Sequence, residues 1–124
     1  MARILVVDDE VPFRKALCKM LLNAGFDVDE AADGSEAIKI YRQHPADLVI
    51  MDIVMPEKEG IETIIELRRD YPDIKIIAIS GGGEYGHPEG YLAVAKKLGV
   101  LKTFAKPFEY KAFIDAVKAA LNPC

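Results

Sequence analysis

Five short apolar runs alternate with stretches of helical periodicity, and this alternation restricts the fold more than any other feature of the chain. The first, third and fourth runs are apolar at successive positions, which predicts strands that are buried on both faces. A parallel sheet covered by helices on both sides buries its strands in this way, whereas a half-exposed antiparallel sheet would alternate apolar with polar residues. The predicted strands are Arg3 to Asp8, Asp27 to Ala31, Asp47 to Asp52, Lys75 to Ser80 and Val100 to Ala105.

A helix is predicted after each strand. In the first helix, Phe13, Leu17 and Leu21 share one face, and Gly25 ends the helix because glycine readily adopts the left-handed conformation. The other helices are marked by Ser35 to about Gln43, by Ile61 to Ile65 with an end before Pro72, by Leu92 to Leu98 before Gly99, and by Phe113 to Leu121. Five such units joined by right-handed crossovers predict an α/β fold, a doubly wound five-stranded parallel sheet with helices on both faces.

Length and charge narrow the class of protein. The 124 residues fit a single domain, and the hydrophobic and charged shares of 51% and 29% are those of a soluble globular protein. No apolar run approaches the ~20 residues of a membrane helix and no signal peptide opens the chain, so we expect a cytoplasmic protein. The net charge is −4 and the basic residues are dispersed, which argues against direct binding of nucleic acid. Cys18 and Cys124 do not have the spacing of a disulfide framework or a metal site.

Polar side chains stand at the ends of four of the five predicted strands. Asp8 and Asp9 belong to the end of the first strand, Asp52 ends the third, Ser80 ends the fourth, and Lys106 follows the fifth. In an open parallel sheet the carboxyl ends of the strands lie at one edge, and ligands bind there. We therefore expect these side chains to converge on one site.

The chemistry that suits this set is metal-assisted phosphoryl transfer to a carboxylate. Three consecutive acids, Asp8 to Glu10, repel one another unless a positive charge lies among them, and Mg²⁺ prefers such hard oxygen ligands. Asp52 stands alone on a central strand, so we predict that it is the nucleophile and forms an aspartyl phosphate. Lys106 would supply a second cation, and the Ser80 hydroxyl would donate to a phosphoryl oxygen.

Along its whole length the chain resembles a receiver domain of the two-component response regulator family. The resemblance rests on VVDDE, on DIVMP beginning at Asp52, on Ser80 after an apolar strand, and on KPF at Lys106 to Phe108. It implies a flavodoxin-like fold with strand order 2-1-3-4-5. It also implies that Asp52 is the phosphoacceptor, Lys106 the phosphate-binding lysine and Ser80 the switch hydroxyl. The implied ligands of Mg²⁺, or of Mn²⁺ in its place, are Asp8, Asp9, Asp52 and the backbone carbonyl of Val54, with Asp9 a more direct ligand than Asp8.

The resemblance implies a function as well. A histidine kinase or a histidine phosphotransfer protein would donate the phosphoryl group, and the phosphorylated domain would present a changed surface to an effector protein. The fourth helix, fifth strand and fifth helix would form that surface. We expect one response regulatory domain over residues 1–124, which catalyses only its own phosphorylation and dephosphorylation and is not otherwise an enzyme.

Two stretches depart from the family pattern. Thr103 stands where the family usually has Tyr or Phe, with Phe104 beside it, and threonine is too small for the usual aromatic movement. The connection after Ser80 contains a long glycine-rich stretch from Gly81 to Gly90. Because glycine has few steric limits on its backbone, we expect this loop and the start of the fourth helix to respond when Ser80 moves.

Two other functions are weighed against the switch. A Mg²⁺-dependent phosphohydrolase of the haloacid dehalogenase type also forms an aspartyl phosphate at a strand end, but that class needs an acid two residues after its nucleophile, where this chain has Val54. A binding module that never takes phosphate would be marked by loss of the acceptor, the acidic pair or the lysine, and all of them are present.

Overall fold

All five predicted strands form, and they make one parallel sheet. The computed structural model describes residues 2–53, 60–80, 93, 95–106 and 108–121. The strands are β1 (Arg3–Val7), β2 (Asp27–Ala31), β3 (Leu48–Asp52), β4 (Ile76–Ser80) and β5 (Lys102–Ala105). Their order in the sheet is β2-β1-β3-β4-β5, and every neighbouring pair is parallel. The predicted fold and strand order are therefore confirmed.

The helices also lie where the periodicity predicts them. They are α1 (Val11–Asn23), α2 (Gly34–Gln43), α3 (Gly60–Asp70), α4 (helical at residues 93 and 95–97) and α5 (Tyr110–Leu121). Gly25 and Gly99 have φ angles of 95° and 87°, which only glycine adopts readily, so both residues end a helix as predicted. Within the described part of the chain, none of the helices has the length and apolar character that crossing a membrane requires.

The sheet separates two apolar clusters, because side chains alternate along each strand. Leu5 and Val7 of β1 face the cluster that α2 and α3 complete, and Ile4 and Val6 face the cluster that α1 and α5 complete. β3 and β4 divide their side chains in the same way, which explains why these strands are apolar at successive positions. Cys18 lies in the second cluster, where burial raises the pKa of its thiol to about 11, so this thiol has a packing role.

Gly60 allows α3 to begin directly against the end of β3. A Cβ atom at this position would clash with the carbonyl oxygen of Asp52 and with the Cα atom of Ile53. Both are backbone atoms, which cannot swing aside as a flexible side chain can. The close approach therefore fixes the backbone that carries Asp52 at the carboxyl edge of the sheet.

We expect Gly60→Ala to lower the free energy of unfolding by about 1–3 kcal/mol, because the added methyl group must displace the backbone of β3. Urea unfolding followed by circular dichroism would measure this loss. Glu62→Ala, at an exposed position in the first turn of the same helix, is the matched control and should change stability by less than about 0.5 kcal/mol. Equal stability of the two variants would mean that the contact between α3 and β3 is not tight.

Candidate functional site

The carboxyl edge of the sheet carries polar residues from four strands. Asp8 directly follows β1, Asp52 ends β3 and Ser80 ends β4, and all three are buried although they are polar. Lys106 directly follows β5, and its backbone N–H donates to the carbonyl oxygen of Ser80 at 2.8 Å. The sheet therefore places these four residues at one edge, at the ends of neighbouring strands.

The Lys106 ammonium lies among three carboxylates. Its Nζ donates to Asp8 Oδ2 and to Glu10 Oε1, each at 2.9 Å, and to Asp52 Oδ2 at 3.3 Å. Only 10% of the lysine side chain is exposed. Burial lowers the pKa of Lys106, but the hydrogen bonds and charges of the three acids outweigh burial and raise this pKa above its ordinary value. The lysine is therefore a fixed cation of the site at neutral pH.

This lysine supplies part of the positive charge that three consecutive acids require. Asp8 Oδ1 accepts the backbone N–H of Glu10 at 2.8 Å, and Asp8 Oδ2 accepts Lys106, so both oxygens of this buried carboxylate have donors. Glu10 is the N-cap residue of α1, but its side chain makes no capping hydrogen bond and reaches Lys106 instead. The sequence pattern did not single out Glu10 for this contact, because its partner is 96 residues away.

Asp9 lies in a different environment from its two neighbours. Carboxylate oxygens of Asp8, Glu10 and Asp52 lie within 4.8 Å of one another, and Asp9 does not belong to this group. Burial raises the pKa of Asp9 above its ordinary value, and the charges of Asp8 and Glu10 add to this rise. The ionised form of Asp9 is therefore less favourable here than in water, and a cation bound nearby would stabilise it.

Helix α1 contributes two further side chains that the strand ends did not reveal. Arg14 donates from Nη1 to the carbonyl oxygen of Asp8 at 2.8 Å and from Nε to Glu30 Oε1 at 2.9 Å, which connects the end of β1 to β2. The ring centroid of Phe13 lies 4.0 Å from the Nζ atom of Lys106. Helical periodicity predicted only that Phe13 faces the core.

The donor atoms at this edge fit a hard divalent cation. Carboxylate oxygens from two strand ends meet there, and Mg²⁺ prefers ligands of this type. Lys106 contacts the same three carboxylates, so a metal ion and the lysine would compete for their oxygens. Two sequence predictions, the carbonyl ligand at Val54 and the response of the Gly81–Gly90 loop, lie outside the described residues.

Known proteins share the sequence pattern and the fold. Residues 4–118 match the family described as the response regulator receiver domain. The chain is 34% identical over 121 residues to the chemotaxis protein CheY of Bacillus subtilis, which covers 97% of this chain and 98% of that protein. It is 33% identical over 119 residues to sporulation initiation phosphotransferase F of the same organism, with coverage of 96% and 93%. The crystal structure of the response regulator TrrA from Thermotoga maritima, in complex with Mg²⁺ and BeF, has a TM-score of 0.85 and 34% identity, with coverage of 98% and 100%.

We expect Lys106→Met to lower the free energy of unfolding by about 3 kcal/mol at pH 7 without divalent metal, because two buried acids lose their shared cation. Urea unfolding in the presence of a chelator measures this loss. Lys102→Met, the same substitution at an exposed position on β5, is the control and should be nearly neutral. Equal losses in the two variants would contradict a structural role for the Lys106 ion pairs.

Proposed function

The chain belongs to the family of response regulator receiver domains, the phosphorylation-activated switches of two-component signalling, and we propose that Asp52 accepts the phosphoryl group. The observation that carries this proposal is the contact between the buried Asp52 carboxylate and the Lys106 ammonium. Asp52 ends a central strand of the sheet, and its contact with the lysine is longer than those of Asp8 and Glu10. A carboxylate beside a fixed ammonium can take up a negatively charged group, because the cation remains to neutralise it.

The phosphoryl donor is a phosphohistidine of a histidine kinase or of a histidine phosphotransfer protein. A carboxylate oxygen of Asp52 attacks phosphorus, so that an O–P bond forms while the N–P bond of the donor breaks. The imidazole nitrogen keeps the electron pair of the broken bond and takes a proton from solvent. The receiver catalyses this step on itself, mainly by positioning the acceptor and neutralising charge, and it acts on no separate substrate.

Lys106 and Ser80 act on the transferred group together. The Glu10 side chain is 60% exposed, so its ion pair with Lys106 contributes little stability. Water can take the place of the ammonium at Glu10, and the ammonium can then turn to a phosphoryl oxygen. The Ser80 hydroxyl donates to another phosphoryl oxygen. Ser80 pairs with Ala105, the residue before Lys106, so both donors come from neighbouring strand ends.

Receiver domains bind a metal at an acidic pocket, and in this chain Asp8, Asp9 and Asp52 would hold it, with the backbone carbonyl of Val54 as the further ligand that the family resemblance implies. Carboxylate oxygens of Asp8 and Asp52 lie within 4.8 Å of each other, and a cation nearby would offset the rise in the pKa of Asp9. Mg²⁺ is the metal proposed, with Mn²⁺ as a substitute. When bound, it neutralises the acids and the transferred group.

A phosphohydrolase of the haloacid dehalogenase type is not favoured. The receiver family matches most of the chain, and Val54 stands where the hydrolase would need its second acid.

The comparable length of CheY supports one receiver domain over residues 1–124.

The surface that changes for an effector protein consists of α4, β5 and α5. Ser80 pairs with Ala105 and accepts a hydrogen bond from Lys106, so a displacement of Ser80 reaches β5 directly. Phe104 cannot replace the family's aromatic residue at position 103, because its ring packs against Phe113 in the cluster on the opposite face of the sheet from α4. The loop after Ser80 and the start of α4 are therefore proposed to change conformation when Ser80 is displaced. Both lie outside the described residues.

Acetyl phosphate with Mg²⁺ should add one phosphoryl group to the protein, and Asp52→Asn should abolish this labelling while the fold stays intact. Intact-mass spectrometry measures the labelling, and circular dichroism checks the fold. Asp73→Asn, which changes an exposed acid in the turn before β4, is the control and should be labelled like the wild type. Labelling of Asp52→Asn at the wild-type level would refute the assignment of the acceptor.

Millimolar Mg²⁺ should raise the melting temperature, because an ion that binds only the folded state stabilises it by RT ln(1 + [L]/Kd). Asp9→Asn should reduce this increase, because it removes a proposed ligand, whereas Glu10→Gln should leave most of it. Differential scanning calorimetry with and without Mg²⁺ compares the three proteins. The reverse order would show that Glu10, not Asp9, completes the metal site with Asp8 and Asp52.

A further inference from the structure

The ring of Phe13 lies against the Lys106 ammonium, which three carboxylates also contact. The ammonium donates to three carboxylates, and its Nζ atom lies 4.0 Å from the Phe13 ring centroid. We propose that Phe13 is a positioning residue. Its ring holds the Lys106 ammonium over the acidic cluster while a phosphoryl oxygen replaces a carboxylate oxygen as a partner of the ammonium. The functional part of this inference rests on the proposed role of Lys106 in binding the phosphoryl group on Asp52.

An aromatic ring attracts the ammonium without adding the negative charge that a fourth carboxylate would bring to the site. The ring face carries a partial negative charge from its quadrupole and attracts an ammonium within about 6 Å. Each carboxylate that binds the lysine also competes with a phosphoryl group for it, and it repels that group by its own negative charge. The ring has no net charge, so it restrains the lysine but repels an incoming anion far less than a carboxylate does. The attraction is strongest where water is excluded, and the lysine side chain is only 10% exposed.

The ring is held in place by other aromatic side chains. Phe13 contacts Phe108 edge to face, with ring centroids 5.8 Å apart and an interplanar angle of 87°. Phe108 stacks on Phe113 at 4.9 Å, and Phe113 is completely buried. Phe108 lies two residues after Lys106, so one short segment supplies both the cation and a ring that orients Phe13. Phe108, stacked on Phe113 of α5, is therefore the ring that orients Phe13.

The test compares Phe13→Leu with Phe13→Tyr and Phe104→Leu. Leucine keeps an apolar side chain but removes the ring face, whereas tyrosine keeps that face. Phe104→Leu makes the same change at a ring that contacts Phe108 and Phe113, so it controls for the loss of aromatic packing. Two quantities are measured: the affinity for beryllofluoride at saturating Mg²⁺, and the proton chemical shifts of the Lys106 methylene group next to the ammonium.

We expect Phe13→Leu to weaken beryllofluoride binding about fivefold or more, with Mg²⁺ affinity unchanged, while Phe13→Tyr and Phe104→Leu stay within about twofold of the wild type. The Lys106 methylene protons should be shifted upfield by the ring in the wild type, in Phe13→Tyr and in Phe104→Leu, but not in Phe13→Leu. Wild-type affinity in Phe13→Leu, or an equal loss in Phe104→Leu, would overturn the proposal.

The chemical shift keeps the inference testable if Phe13→Leu does not fold, because the wild type alone must show the upfield shift when Lys106 is compared with the exposed Lys102. A wild type without this shift would refute the contact between the ring and the lysine. A wild type that shows the shift but binds no beryllofluoride would refute the proposed function, and with it the role of Phe13 in phosphoryl binding, while supporting the contact itself.

Discussion

An ammonium group shared by three acids holds the carboxyl edge of this sheet together. Asp8 and Asp52 are buried at the ends of neighbouring strands, and two buried negative charges at this separation are stable only beside a cation. Lys106 supplies this cation although it is 98 residues from Asp8 in the sequence. The burial of both aspartates and the direction of the Glu10 side chain depend on this cation.

The parallel sheet makes such a meeting possible. Every strand in it points the same way, so residues that follow strands far apart in sequence reach the same edge. Two helices make further contacts with the residues of the site. Arg14 of α1 holds the carbonyl of Asp8, and Gly60 lets α3 begin against the carbonyl of Asp52. The site is thus built on rigid elements, which suits a reaction that depends on positioning more than on acid–base chemistry.

Residue patterns predicted the strand ends well but not the side-chain contacts between distant elements. Asp52, Ser80 and Lys106 stand next to apolar strands, so their position at one edge follows from strand periodicity and parallel topology. Glu10 and Phe13 belong to the first turns of a helix, where a cap and a core residue are the ordinary interpretation. Their contacts with Lys106 depend on where the chain returns about 95 residues later, and no local pattern contains that information. The sequence did predict two cations at this edge, Mg²⁺ and Lys106, but it did not predict that the Lys106 ammonium contacts Asp8, Glu10 and Asp52 together.

The distance in sequence between the acids and their lysine has a consequence for protein synthesis. A ribosome releases Asp8, Asp9 and Asp52 well before Lys106, and β5 can pair only with a β4 that has already emerged. Until Lys106 has been synthesised, the growing chain carries Asp8, Glu10 and Asp52 without the ammonium that contacts all three in the folded protein. The carboxyl edge of the sheet can therefore be completed only after translation has passed the fifth strand.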